Sequence, residues 1–145
     1  MFKLRLFKTE DTARVLQLAN AYAAFDMSID EADLSITKSF PNGFWIAEED
    51  DRVVGVAYGY FRDVPPEVLE RWEASKAGYV ALMAVDESYR RRGIGGALLK
   101  RLLEEFRKAG ADVVTVHCPA EAIEAKKLYD KLGFEVGAYH MKRRL

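Results

Sequence analysis

The residues with the clearest capacity for chemistry run from Arg90 to Ala97, in the order Arg90-Arg91-Arg92-Gly93-Ile94-Gly95-Gly96-Ala97. Three guanidinium groups stand beside three glycines, at the point where a strand-length apolar run, Tyr79 to Val85, gives way to a helical pattern. The first turn of a helix has backbone N–H groups with no partner inside the helix, and the helix dipole adds positive potential there. Gly93, Gly95 and Gly96 remove the side chains that would keep a ligand from those amides. Together with the arginines they make a site for a polyanion such as a pyrophosphate. The same residues read separately would be a solvated arginine run and a turn, but the strand before and the amphipathic helix after agree with the binding reading. Two standard nucleotide motifs fail. A P-loop needs Gly-Lys-Ser/Thr where this chain has Gly96-Ala97-Leu98. A dinucleotide fingerprint needs a third glycine where Leu98 stands.

The remaining reactive side chains are few. His117 and Cys118 are neighbours, and adjacent strand residues point to opposite faces, so the imidazole is badly placed to activate the thiol. A lone cysteine with two histidines, the other being the distant His140, is no zinc ligand set, so no metal is expected. Tyr129 lies with Ala125, Leu128 and Leu132 at the spacing of a core-facing helix stripe. Glu67, Glu70 and Glu73 form either a solvated helix face or an acidic wall suited to a cationic ligand, and Phe25, Trp45, Tyr58, Tyr60 and Trp72 either floor a pocket or pack. The run Glu48-Glu49-Asp50-Asp51 reads as a solubilising hairpin tip.

The elements that must position these groups follow from the apolar periods. Phe2 to Phe7 alternates as a half-buried strand. A helix capped at Thr9 or Asp11 follows, with Val15, Leu16, Leu18, Ala19 and Tyr22 on its apolar face. A weaker helix is expected near Asp30 to Lys38, ending at the turn Pro41-Asn42-Gly43. Phe44–Ala47 and Val53–Tyr58 make a hairpin, and Asp63 to Ser75 a loop with one or two helical turns. Ile94 to Ala109 is a strong helix whose stripe is Leu98, Leu99, Leu102, Leu103 and Phe106. Strand Val113 to Cys118, a helix from about Ala120 to Lys131 and a strand-like tail from Gly133 to Leu145 complete the chain. Strand, helix and buried strand in succession imply a parallel pair, so the whole reads as an α/β sandwich, antiparallel in its first half.

Composition bounds the function. The 145 residues fit one domain, 1–145, without repeat or linker. Twenty-two basic against 23 acidic residues argue against a nucleic-acid partner. No apolar run reaches membrane-spanning length, no leader is apparent, and one cysteine suits a reducing compartment, so the expectation is a cytoplasmic protein that contacts no membrane.

The pattern Arg90-x-x-Gly93-x-Gly95 after Met83-Ala84-Val85 resembles motif A of the GNAT superfamily of acetyl-CoA-dependent N-acetyltransferases, and Ala125-Lys-Lys-Leu128-Tyr129-Asp-Lys-Leu132-Gly133-Phe134 resembles its motif B. The resemblance implies a mixed, mostly antiparallel sheet flanked by helices, with strands Tyr79–Val85 and Val113–Cys118 splayed at one end. It implies acetyl-CoA as co-substrate, its pantetheine arm bonded to the backbone of Met83, Ala84 and Val85. Its pyrophosphate would rest on the amides of Arg91, Arg92, Gly93, Ile94, Gly95 and Gly96, flanked by Arg90 and Ala97. It implies direct acetyl transfer to a primary amine of a small molecule or protein, with Tyr129 as the general acid for the leaving thiolate. Two positions depart from the family: Ala122 stands where an asparagine often contacts the coenzyme, and Ala81 and Leu82 stand where an acidic base often lies. No base is therefore assigned, with His117 and Glu121 as candidates. A module that binds an acyl-CoA without turnover is the alternative, and the tail offers a strand for pairing with a second copy.

Overall fold

The computed structural model describes residues 1–22, 30–34 and 39–145. Its elements are β1 (Lys3–Leu6), α1 (Thr12–Tyr22), α2 (Glu31–Leu34), β2 (Phe44–Glu49), β3 (Arg52–Phe61), α3 (Pro66–Arg71), β4 (Ala77–Val85), α4 (Ile94–Lys108), β5 (Val113–Val116) and α5 (Ile123–Lys131). Phe25 and the second half of the weaker helix expected to reach Lys38 lie outside the described residues.

One sheet of five strands carries the molecule, in the order β1-β2-β3-β4-β5. The first three pairings are antiparallel and β4–β5 is parallel, the mixed arrangement expected from the sequence. Helices cover both faces, so β2 and β3 are buried on both sides and their apolar residues run almost without a break. On one face α1 packs Val15, Leu18 and Ala19 against Phe44, Ile46, Val56, Leu82 and Ala84. On the other, α4 sets Ile94, Leu98, Leu99, Leu102 and Phe106 against Trp45, Ala47, Val54, Ala57 and Val80, and Tyr129 of α5 joins them. The α4 stripe is the one legible in the sequence, except that Leu103 sits at its margin, partly buried.

Two irregularities matter for the site. The β3–β4 register passes from Tyr58↔Leu82 to Gly59↔Val80, leaving Ala81 as an extra residue, a β-bulge. The bulge resets the alternation: Val80, Met83 and Val85 all face the α4 side, while Leu82 and Ala84 face α1. The second is that β4 pairs with β5 only from Ala77↔Val113 to Val80↔Val116. β5 stops there because Pro119 follows two residues after His117, and proline has no N–H for a ladder. β4 runs five residues further, to Val85, with no strand beside it on that edge.

Two expectations are corrected. Glu48 and Glu49 are not a solvated tip but end β2, and the turn is Asp50-Asp51 alone, both at positive φ (53° and 57°) as a type I′ hairpin requires. Arg5 holds Glu48 by a 2.5 Å hydrogen bond, and Glu49 is buried at 7% exposure. The tail after Gly133 forms no strand: Val136, Tyr139, Met141 and Leu145 are all exposed. Its apolar spacing changes phase at Gly137-Ala138, so it presents no single face to a sheet edge.

The ring of Phe106 lies flat on glycine backbone: a Cβ on Gly59 would fall 2.3 Å from the Tyr79 carbonyl and 2.7 Å from Phe106. Gly59→Ala is expected to destabilise the protein by about 1–3 kcal/mol, since overpacking there meets backbone that cannot yield. Gly137→Ala, where nothing lies within 4 Å, is expected to stay within about 0.5 kcal/mol of wild type. Denaturant midpoints of the two variants, measured together, check both statements.

Candidate functional site

The end of β4, the turn after it and the start of α4 form one continuous surface. Asp86 closes β4 and is buried at 6% exposure. Its Oδ1 accepts from the Ser88 backbone N–H at 2.9 Å, which bends the chain into a short 3₁₀ turn, Glu87–Tyr89. Its Oδ2 accepts from Arg14 Nη2 at 2.5 Å, while Arg14 Nε donates to the Val53 carbonyl at 3.0 Å. One guanidinium on α1 thus ties together the hairpin and the entry to α4. Burial alone would push the Asp86 carboxyl up, but the Ser88 amide and the Arg14 cation outweigh it and hold it below the ordinary value.

Beyond that anchor the backbone takes two left-handed turns, Arg91 at φ +63° and Gly93 at φ +82°. Gly93 caps α4 in a conformation that favours glycine, with open space where a Cβ would be. The first helical bond runs from Ala97 N–H to the Gly93 carbonyl at 3.0 Å, so Ala97 has its amide engaged and the helix-start donors are those of Ile94, Gly95 and Gly96. A Cβ on Gly95 would point into the crevice between β4 and α5, 3.4 Å from Leu128, 3.7 Å from Val85 and 4.0 Å from Met83. A methyl would just fit there, and any longer side chain would fill the crevice between the helix start and the free edge of β4.

The arginines are not equivalent. Arg92 Nη1 donates to the buried Glu49 at 2.9 Å and its guanidinium lies 5.0 Å from the Tyr89 ring, so this cation braces the turn against the hairpin. Arg90 Nε reaches back to the Val85 carbonyl at 3.3 Å, and Arg91 is exposed at the rim. Met83 and Val85 face α4 across the channel, whereas Ala84 is buried on the α1 side.

Tyr129 of α5 is 8% exposed and lies edge-on to Phe134 at 5.4 Å. Burial first, and then the nearby Cys118 thiol and Tyr79 phenol, push its pKa up to about 12. It keeps its proton at neutral pH. Cys118 itself is half-buried, its Sγ 3.7 Å from the Pro119 carbonyl, with its pKa raised by burial, an inert thiol.

On the other side of the fork stands a pair the sequence alone did not join. Tyr79 Oη lies 2.8 Å from His117 Nδ1, one residue beyond the last β4–β5 pairing. With the imidazole proton on Nε2, the phenol donates and Nδ1 accepts. Tyr79 is flanked by the Tyr60 ring at 5.5 Å and by the Arg62 guanidinium at 5.3 Å, and burial raises its pKa. The signal was faint because Tyr79 sits inside an apolar run and meets His117 only through the sheet. Glu121, the other candidate base, is exposed, as are Glu67, Glu70 and Glu73. Among the aromatic residues, Trp45 packs under Arg101 at 4.5 Å and Tyr58 is buried against α1, so both are core.

The sequence pattern of the acetyltransferase (GNAT) family matches residues 11–134. The chain is 30% identical over 107 residues to the L-2,4-diaminobutyric acid acetyltransferase of Nocardia farcinica, covering 74% of this chain and 51% of that one. It is 39% identical over 59 residues to N-alpha-acetyltransferase 30 of Xenopus laevis, covering 41% of this chain and 22% of that one. The chain therefore spans about half or less of the length of these two relatives. Among solved structures, Ard1 from Thermoplasma volcanium superposes with a TM-score of 0.79 at 25% identity, covering 94% of this chain and 84% of that one.

The Asp86 anchor has a pH signature. Because its folded-state pKa is depressed, its contribution is complete above the ordinary carboxylate value of about 4 and is lost as pH falls through the lower folded value. Asp86→Asn is expected to cost about 1–3 kcal/mol at pH 7, since Arg14 loses a charged partner. The gap between wild type and variant should close as pH falls below about 4. Urea unfolding of both proteins across that range measures it.

Proposed function

This chain belongs to the acetyltransferase (GNAT) family, and we propose that, as one domain, it transfers an acetyl group from acetyl-CoA directly to a primary amine. The observation that carries the reading is the Asp86-anchored turn, where left-handed Arg91 and Gly93 expose helix-start amides beside a free strand edge. Those residues fit the coenzyme: the amides from Arg91 to Gly96 take its pyrophosphate, Arg90 and Arg91 add charge at the rim, and the stretch Met83, Ala84 and Val85 lies along its pantetheine arm, with the backbone of Met83 and the Val85 N–H turned to the free edge. Glycine at position 95 fits too, because a side chain longer than a methyl would fill the crevice there.

Acetyl-CoA supplies an activated thioester whose carbonyl the neutral amine attacks. Tyr79 and His117 take the proton from that amine: the phenol oxygen accepts it as its own proton passes to Nδ1, and the exposed imidazole returns it to water. Tyr129, protonated at neutral pH, donates toward the sulfur as the carbon–sulfur bond breaks. A phenol so weakly acidic yields its proton only as negative charge develops beside it. The pair at Tyr79 and His117 supports turnover over a module that merely holds an acyl-CoA, and it answers the apolar residues at Ala81 and Leu82.

The relatives named for diaminobutyric acid and for N-alpha-acetylation support small-molecule and protein amines alike as acceptor classes. A cytoplasmic setting suits the lone thiol of Cys118.

Two measurements test the reading. Gly95→Leu, checked as folded, is expected to weaken acetyl-CoA binding at least about tenfold by calorimetry, or about 1.4 kcal/mol. Unchanged affinity would remove the coenzyme from this channel. Tyr129→Phe keeps the ring and removes the donor, so turnover read by thiol release is expected to fall ~10²–10⁴-fold with acetyl-CoA affinity nearly constant. A fully active Tyr129→Phe protein would leave the leaving sulfur without this donor.

A further inference from the structure

We propose that Arg62, with Thr115, forms an acceptor subsite that recognises a carboxylate on the amine substrate, so that the acceptor is an amino acid or a close chemical relative. The proposal rests on the acetyl-transfer reading above.

Arg62 follows β3 directly and is held by neutral groups. Its backbone N–H donates to the Ala77 carbonyl at 2.9 Å, which keeps it beside the start of β4. Its Nη1 donates to Thr115 Oγ1 at 2.7 Å. The guanidinium lies 5.3 Å from the Tyr79 ring and 6.0 Å from the Trp72 ring, so two aromatic faces sit around the cation. The side chain is half-buried, yet among the described residues no carboxylate lies within ion-pairing distance of it. Arg5, Arg14 and Arg92 behave differently, each meeting a buried carboxylate at 2.5–2.9 Å.

A guanidinium has five N–H donors in a planar fork, and Thr115 engages one of its nitrogens. A partly buried, preoriented fork without an acidic partner is matched to a carboxylate, which it binds through two parallel bonds. The location fits the same conclusion. Thr115 and His117 lie two residues apart along one strand line and so share a face, and His117 holds Tyr79, whose ring Arg62 overlies. An acceptor anchored at Arg62 therefore presents its amine toward the Tyr79–His117 pair. Glu67, Glu70 and Glu73, the residues that would suit a cationic acceptor, are exposed, and none of them pairs with Arg62.

The test compares each of several amino acids, including one with a side-chain amine, with its own carboxamide in a thiol-release assay on the full chain. KM and kcat are read separately for wild type, Arg62→Ala and Arg62→Lys, with melting temperature and coenzyme A affinity confirming that the variants are folded. Wild type is expected to favour the carboxylate form at least about tenfold in kcat/KM, mainly through KM. Arg62→Ala is expected to erase that preference, and Arg62→Lys, which keeps charge but not the fork, to restore it only in part. A wild type that uses the carboxamides equally well, or an Arg62→Ala protein that keeps the preference, overturns the proposal. So does coenzyme A binding with no amino acid acetylated. Failure to bind coenzyme A at all would instead remove the acetyl-transfer reading itself.

Discussion

The parallel ladder between β4 and β5 holds for four residue pairs and then ends, and nearly every functional feature follows from where it ends. Past Val80↔Val116 the backbone of β4 has lost its neighbour, while Pro119 turns the other strand away toward α5. A sheet edge that is open inside a covered α/β layer is costly unless something pairs with it, because buried backbone donors and acceptors must be satisfied. Elsewhere an exposed edge would invite aggregation. Here it is short and borders the crevice that a side chain at Gly95 would enter, against Leu128, Val85 and Met83. The bulge at Ala81 falls one residue after the last pairing, so the fork and the change of facing coincide.

Around that fork the chain divides its charges by role. Buried carboxylates at Glu49 and Asp86 are structural: each is matched to an arginine from a distant element, and each fixes part of the turn from Asp86 to Gly93. Such pairs contribute little by Coulomb energy alone, since desolvation offsets much of it. Their value lies in placement, because the backbone at Arg91 and Gly93 must hold left-handed φ angles that a loose loop would not keep. Among the described residues, Arg91 at the rim of the turn and Arg62 beside the Tyr79–His117 pair meet no such carboxylate.

How much of this was legible depended on the range of each interaction. Local patterns were readable: the glycine-rich entry to α4 and the stripe of Leu98, Leu99, Leu102 and Phe106 depend on neighbours within a few residues, whereas the alternation of β1 fails at its end, where Leu6 is 41% exposed and Arg5 turns in to Asp11 and Glu48. Tyr129 was legible as a core residue and as a family tyrosine at once, and its burial beside Cys118 is consistent with both. What the residues could not reveal were partners brought together by the sheet. Arg14 meets Asp86 across 72 positions, Glu49 meets Arg92 across 43, and Tyr79 meets His117 across 38. The acidic run Glu48 to Asp51 misled for the same reason, since two of its members find arginines on other elements. The tail misled because alternation was judged without asking which edge would receive it.

The central claim is that the anchored turn and the free edge of β4 together receive the coenzyme, and amide hydrogen exchange tests it most directly. On addition of coenzyme A, protection is expected to rise at Arg91 to Gly96 and at Met83 and Val85, whose amides face the free edge, while exchange along β1, β2 and the tail stays unchanged. Protection confined to some other part of the molecule, or none at saturating coenzyme A, would contradict the account.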